Sequence, residues 1–388
     1  MKEINILAIV LLLFFGSCTD DFTELNTDPK NFTEAAVTQS EYPLFVKSAL
    51  YTPNYTPFQG ISDGRGAFQL GHSLFPDIYA NYFATTAANF DSDQFILVGS
   101  WLNGAYTWFY NQSAPNIKIA EDTAEELGFT IENAMMKVWR VYAYQRITDL
   151  WGPIPYSNFG NLENVVLYDS QEDIYNNFFT TLDEAVTVLK ANSGQTSFLG
   201  SNDVIYGGDI DSWLKFANSL RLRMALRIKY VDAAKSKSEA EKAVTDGIID
   251  NNADNAKITT NNDFRNHYTT ITQWGEFRMS ADMESILKGY QDPRIASYFA
   301  PAADPDPSDD PAGLLFDYEG IRNGQLKADK QAIAFNNLAS DMAAAFTTAD
   351  SPGPNISIID ASEVYFLRAE GALEGWAMGG TAEALYNQ

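Results

Sequence analysis

The sequence predicts a mostly α fold, a tetratricopeptide-like helical-repeat scaffold that carries a long-loop, irregular part. Three observations predict it. Apolar residues recur at helical spacing in several long segments, alternating strand patterns are nearly absent, and Gly-, Pro- and aromatic-rich loops separate the helices. Helices in consecutive pairs fit a solenoid of the tetratricopeptide kind, although a 34-residue period is not directly readable.

In chain order, "TQSEYPLFVKSALY" predicts a short helix near 38–51, and "YTPNYTPFQGISDGRG" a Pro/Gly loop. Leu74, Ile78 and Tyr82 stand four apart and extend a helical expectation over 71–88, and the pattern resumes from about 100 to 120. The segment Ile131 to Leu150 is clearer. Met135, Val138, Tyr142 and Gln145 form one stripe beside Val141, and Gly152 and Pro153 end it. In the next helix Ile174, Phe178, Leu182, Ala185 and Leu189 form the stripe, Ser170 and Asp173 make a capping-box variant, and Gly194 stops it. The strongest helix runs from Asp211, the expected N-cap. It buries Trp213, Phe216, Ala217, Leu220, Met224 and Ile228, with Arg221, Arg227 and Lys229 where the helix dipole favours cations. Shorter helices are expected near 237–248, 279–290 and 361–375, and one strand at "NAKIT", 255–259.

Composition narrows the function. The 388 residues are 45% hydrophobic and 13% aromatic, with 25 Phe and 20 Tyr, enough for a core and for aromatic surface besides. A net charge of −25 repels nucleic acid and anionic headgroups, so no nucleic-acid partner is expected. One Cys and two His make neither an internal disulfide nor a zinc site.

Lys2 and the ten apolar residues Ile6 to Phe15 read as the start of a signal peptide, too short to span a bilayer. Gly16, Ser17 and the sole cysteine, Cys18, resemble a bacterial lipobox, with Phe15 where Leu is commoner. Residues 1–17 are therefore expected to be a lipoprotein signal peptide, Cys18 the lipidation site, and 18–36 a flexible polar tether to one helical domain over 37–388. Removing residues 1–17 takes one Lys and one Glu, so the charge stays at −25.

Catalytic motifs are weak. "GHSLF" at 71–75 approaches a nucleophile elbow, but Phe75 replaces the final Gly, no strand precedes it, and His72 and His267 are the only candidate bases. No catalytic residue is assigned. "DPDPSDD", Asp304 to Asp310, is rich in oxygen ligands but lacks the Gly and Glu of a calcium loop; no metal or cofactor is expected, and structural calcium is left open.

Five stretches carry a family resemblance. "TDLWGPIPYS", "YDSQEDIYNNFFTTLDEA", "YGGDIDSWLKFANSLRLRMALRI", "YQDPRIASYFAPA" and "EVYFLRAEGAL" resemble the SusD/RagB family of nutrient-binding outer-membrane lipoproteins, in its SusD-like subgroup. "ELNTDPKNFTEA" after the lipobox is similar to that family too. The resemblance implies tetratricopeptide-like helix pairs, a lipid anchor in the outer membrane facing outside, and Asp20 and Asp21 as part of a surface-export signal. It implies pairing with a SusC-like TonB-dependent transporter and capture of an oligosaccharide or peptide ligand. Family members usually continue well past the "RAEGAL" helix, so the C-terminal part of the scaffold is expected to be missing here.

Carbohydrate binding needs flat apolar rings and planar hydrogen-bonding groups. Two stretches outside the confident helices offer both. The first supplies Asp77, Tyr82, Phe90, Asp91, Gln94 and Trp101; the second supplies Asn262, Arg265, His267, Tyr268, Trp274 and Arg278. The expected ligand-binding residues are Asp77, Tyr82, Asp91, Gln94, Trp101, Arg265, Tyr268 and Trp274. Trp274, flanked by Thr, Gln and Gly, is expected to be exposed, and Trp139 and Trp213 to be core. The residues alone leave two rivals open, a helical glycosidase and a helical-repeat adaptor for protein partners.

Overall fold

Each long helix forms where an apolar stripe meets a stop signal. A computed structural model of the protein describes residues 38–54, 65–161, 165–305, 317–349 and 351–388. Cys18, the tether and most of "DPDPSDD" lie outside the described residues. The chain divides into two units, Met1–Tyr42 and Pro43–Gln388. In the described part of the first, the Thr38 and Ser40 hydroxyls hydrogen-bond at 2.7 Å and the Glu41 carboxylate accepts from Ser40. The second unit holds the helical scaffold and the irregular part.

Helix α1 is Tyr42–Tyr51. Helices α2 (Gly99–Trp108) and α3 (Ala114–Glu126) are joined without a break by a π-wound turn at Phe109–Ser113. Then come α4 (Thr130–Trp151), α5 (Gln171–Ala191), α6 (Ile210–Arg227) and α7 (Ala233–Asp246). Each packs on the next, from α3 through α7. This is the expected helical-repeat scaffold. The stripe Met135, Val138, Val141, Tyr142 and Gln145 is buried, and α4 stops at Gly152, whose φ of 74° suits a residue without Cβ. The Ser170 hydroxyl accepts from Asp173 N–H at 3.1 Å, the expected cap of α5. Trp139 donates to Ala49 O at 2.7 Å, and Trp213 to Asp203 Oδ2 at 2.8 Å; both rings are fully buried.

Two expectations for α6 need correction. Its N-cap is Asp209, which accepts from Ser212 N–H at 2.7 Å; Asp211 sits inside the first turn and instead accepts from Ser193 Oγ at 2.7 Å. Arg221 does not serve the helix dipole. It is fully buried and bridges Asp183 of α5, at 2.6 Å, to Glu239 of α7. The stripe points inward as expected except at Ile228, the half-buried C-cap.

The irregular part contains two short antiparallel ribbons. Strand β1 (Phe83–Thr85) pairs with β3 (Phe277–Met279), in the register Phe83–Met279 and Thr85–Phe277. Strand β2 (Ala256–Ile258), at the expected "NAKIT", pairs with β4 (Ile356–Ile359) through a bulge at Ala256/Lys257. Around them lie α8 (Ala281–Gly289) and α9 (Lys327–Ala332), while α10 (Ala361–Leu373) packs on α6 and on α11 (Ala382–Tyr386).

The helix expected over 71–88 is shorter and different. A π-wound segment, Gln69–Asp77, stops by Tyr79. Asn81 then takes a left-handed φ of 57°, which asparagine tolerates better than most residues, and the chain turns into β1. Beneath the β1–β3 ribbon lies its own core of Ile78, Phe83, Ile271, Phe277, Met279 and Phe299. On the other side Ala84 packs with Ile321 and Ala339. Among the described residues, no helix is long and apolar enough to cross a membrane.

Candidate functional site

The β1–β3 pairing joins the two candidate stretches that stand far apart in the sequence. Thr86 N–H donates to Glu276 O at 2.9 Å, and the Thr86 hydroxyl to Gly275 O at 2.5 Å. The ribbon of residues 83–85 and 277–279 therefore ties the two stretches together, although nearly the whole scaffold separates them along the chain. Burial in this ribbon raises the Glu276 carboxyl above its ordinary range; the Gln69 amide beside it acts in the opposite sense.

Of the eight predicted residues, seven fall into two groups and Arg265 stands apart. Tyr82 (51% exposed), Gln94 and Trp274 (43% exposed) reach solvent, and Asp91 and Trp101 are half-buried. Trp101 is held edge-on between Phe90, at 5.0 Å between ring centroids, and Phe75, at 6.2 Å. Gln94 Nε2 donates to Gln325 O at 3.2 Å. Trp274 closes a 3-10 turn over Thr272–Trp274 whose C-cap, Gly275, has a φ of 65°. That turn keeps the indole at the surface, as its polar flanks suggested.

Asp77 and Tyr268 form the second group, and they are turned inward. The Tyr268 hydroxyl donates to Asp77 Oδ2, and His72 Nε2 lies 3.7 Å from Oδ1. Burial pushes the Asp77 carboxyl up to about 7, against the opposing pull of the Tyr268 hydroxyl. Burial, followed by the neighbouring Asp77, raises the Tyr268 phenol well above its usual value. His72 is held below the usual imidazole range by burial and then by Arg146 and His267. Phe68 packs against His72, His267 and Tyr268, at 5.0, 5.0 and 5.2 Å.

This inward group borders a cleft of about 860 Å³ between α4, α6, β4, α10 and the irregular part. The charged groups of its walls are largely committed to one another. Arg223 pairs with Glu363 at 2.6 Å, Arg227 with Asp149 at 3.3 Å, and Arg146 donates to Pro53 O at 3.0 Å. Two further residues from the second stretch also bond to backbone carbonyls. Arg265 Nε donates to the Asn262 carbonyl at 3.1 Å, and His267 Nε2 meets Asn54 O at 3.1 Å. Arg278 is buried 3.4 Å from Asp341, and burial lowers its guanidinium from the ordinary value.

Sequence reasoning missed Phe95, which is 65% exposed, and the buried Lys330, which pairs with Asp93 of the preceding turn. The apolar run Phe95 to Val98 following "DSDQ" was the available signal for Phe95. Lys330 had none, because its partners are more than two hundred residues away. Among the described residues, no group of three or more His, Cys, Asp or Glu side chains is arranged to hold a metal ion.

Similarity to known proteins agrees with this architecture. No curated protein sequence matches the chain. Among solved structures, a chitin-binding SusD homolog from Flavobacterium johnsoniae is 35% identical, with a TM-score of 0.77, over 90% of this chain and 69% of that one. A SusD homolog from Bacteroides vulgatus is 28% identical, with a TM-score of 0.76, over 89% and 69%. A further chitin-binding protein is 26% identical, with a TM-score of 0.73, over 88% and 72%. The SusD-like family model, described as SusD and RagB outer membrane lipoproteins, matches residues 24–388. The helical scaffold, the sequence motifs and these matches agree: the chain belongs to the SusD-like family of outer-membrane lipoproteins.

Proposed function

We propose that this protein binds a glycan at the cell surface and delivers it to a SusC-like TonB-dependent transporter, breaking no bond in the ligand. Cys18 carries the lipid that anchors it to the outer membrane, facing outside. The observation that supports the binding reading is the β1–β3 ribbon, which joins the stretch bearing Tyr82, Asp91, Gln94 and Trp101 to the stretch bearing Trp274. Partly exposed rings beside carboxylate and amide groups suit the apolar faces and hydroxyls of a sugar. The names of two similar structures make chitin the first ligand to try.

Among the described carboxyls that burial raises, Asp77 is pushed up to about 7, near the range of a general acid. Its shift comes from burial, opposed by Tyr268, and no neighbouring carboxylate contributes to it. Acid glycoside hydrolysis uses two acids across the scissile bond, so this surrounding favours a structural role.

Affinity electrophoresis in native gels containing glycol chitin tests the reading, with amylopectin and xylan in parallel gels. The expected result is retardation on at least one glycan without release of reducing sugar. Trp274→Ala is expected to abolish retardation and leave the helical circular dichroism unchanged. Release of sugar would point to the glycosidase instead. Retardation that survives Trp274→Ala would place the contact on another wall.

A further inference from the structure

The loop after β1 holds a surface ring on a buried charge. The 3-10 turn Ser92–Gln94 ends at Phe95, whose φ of 59° and ψ of 25° are left-handed. A bulky aromatic residue adopts that conformation only where its surroundings force it, and such strain gathers at functional sites. Phe95 N–H closes the turn on Ser92 O at 3.0 Å. The ring is 65% exposed and rests against Tyr79, at 5.0 Å between centroids. Ordinary burial of apolar surface therefore does not account for its placement.

Lys330 holds the turn from below. Its ammonium lies 2.8 Å from Asp93 Oδ2, and both side chains are almost completely buried. It also donates to Thr85 Oγ1 at 2.6 Å and to Phe90 O at 2.9 Å, which uses its three protons on β1, the loop and the turn. Gly324 N–H gives Asp93 Oδ2 a further bond at 3.2 Å. Asp93 Oδ1 and the Ser92 hydroxyl find no partner among the described residues. A buried pair left partly unsatisfied is a poor way to gain stability, but it fixes one geometry.

We infer that Phe95 is a ligand-contacting residue, the platform on which one pyranose ring stacks, and that the Asp93–Lys330 pair is the device that positions it. The inference rests on the glycan-binding reading above. The same turn carries Asp91 and Gln94, so the platform is flanked in sequence by hydrogen-bonding groups that suit sugar hydroxyls.

The test uses the glycan, among glycol chitin, amylopectin and xylan, that retards the wild type. Phe95→Ala is expected to weaken retention at least tenfold without lowering the unfolding midpoint, and Phe95→Trp to restore it. Asp93→Leu/Lys330→Met replaces the pair with apolar groups and is expected to weaken retention comparably while keeping the helical circular dichroism. If the pair acts through Phe95, the triple variant with Phe95→Ala binds no more weakly than Phe95→Ala alone. Losses that multiply would overturn the positioning role. Unchanged retention in Phe95→Ala, with Trp274→Ala still defective, would overturn the platform and leave the glycan reading standing. A wild type retarded by none of the three glycans would overturn both.

Discussion

Two buried aspartates show how the scaffold and the ribbon side of the molecule differ. Asp203, packed against α6, accepts four hydrogen bonds, from Trp213 Nε1 and from the backbone N–H groups of Gly208, Ile205 and Tyr206. Asp93, behind the ribbon, has one oxygen on Lys330 and the other without a partner among the described residues. The backbone shows the same contrast. The non-glycine residues with left-handed φ among the described residues are Asn81, Phe95 and Gln291, and all lie outside α3–α7. Polar atoms buried without a partner among the described residues occur in the scaffold too, at Asn218 Oδ1 and Arg221 Nε of α6, so the left-handed backbone is the clearer contrast. The ribbon side keeps strained backbone at Asn81 and Phe95, the kind of strain that over-determined surroundings hold in place. Substitutions in the scaffold should therefore move stability and spare affinity, and substitutions on the ribbon's surface should do the reverse.

The hardest break of the comparison is Arg221→Ala. Arg221 joins three helices through Asp183 and Glu239, and its removal strands the less exposed Glu239 beside an empty site. Breaking such a pair costs about 3–5 kcal/mol. Urea unfolding should show that loss, while glycan retention measured below the new midpoint stays at the wild-type value. A loss under about 1 kcal/mol would mean that the pair behaves as a surface pair and that the scaffold is less dependent on it than its burial suggests.

Next comes the pH dependence of Asp77. Its folded value of about 7 lies above the ordinary 3.8, so the native state holds the proton more tightly than the unfolded chain does. Stability from this group is complete below pH 3.8, falls as pH rises toward 7, and is level above that. Asp77→Asn has no such proton to lose but keeps an oxygen to accept from Tyr268. It should match the wild type near pH 4 and exceed it at pH 8, by at most about 4 kcal/mol. Thermal unfolding at the two pH values checks this. A constant difference between the two proteins would mean that burial does not raise the carboxyl.

The same comparison explains what could be read from sequence. Helix α4 and helix α5 were legible because an apolar stripe is a local pattern, repeated over five or six turns. The caps of these helices were mostly legible too, since a Ser or Gly at a boundary acts over three or four residues. Strands β1 and β3 were not. Each is three residues long and buried throughout, so neither alternates, and their partners lie almost two hundred residues apart. Composition alone marks the candidate stretches, and it cannot say that Asp77 turns inward to Tyr268 while Trp274 turns outward. Lys330 could not have been singled out. A buried lysine looks like any other until the chain brings Asp93 to it.

The N-terminus of α6 gives the smallest effect and sharpens the comparison where sequence and structure differ by two residues. Asp209 accepts from Ser212 N–H and precedes the first helical residue, whereas Asp211 turns back to Ser193 and to the Gly194 N–H at 3.2 Å. Asp209→Ala should cost about 1 kcal/mol, and Asp209→Ser or Asp209→Asn should recover most of it, because both cap well. The loss is local to one helix end on the scaffold, so glycan retention should not change. Urea unfolding decides between the two aspartates. If Asp209→Ala is neutral and Asp211→Ala carries the cost, the helix starts where its sequence suggested, and the geometry at 209 is incidental. If both are costly, Asp211 stabilises the scaffold by fastening the end of α5 to the start of α6, a tie between helices rather than a cap.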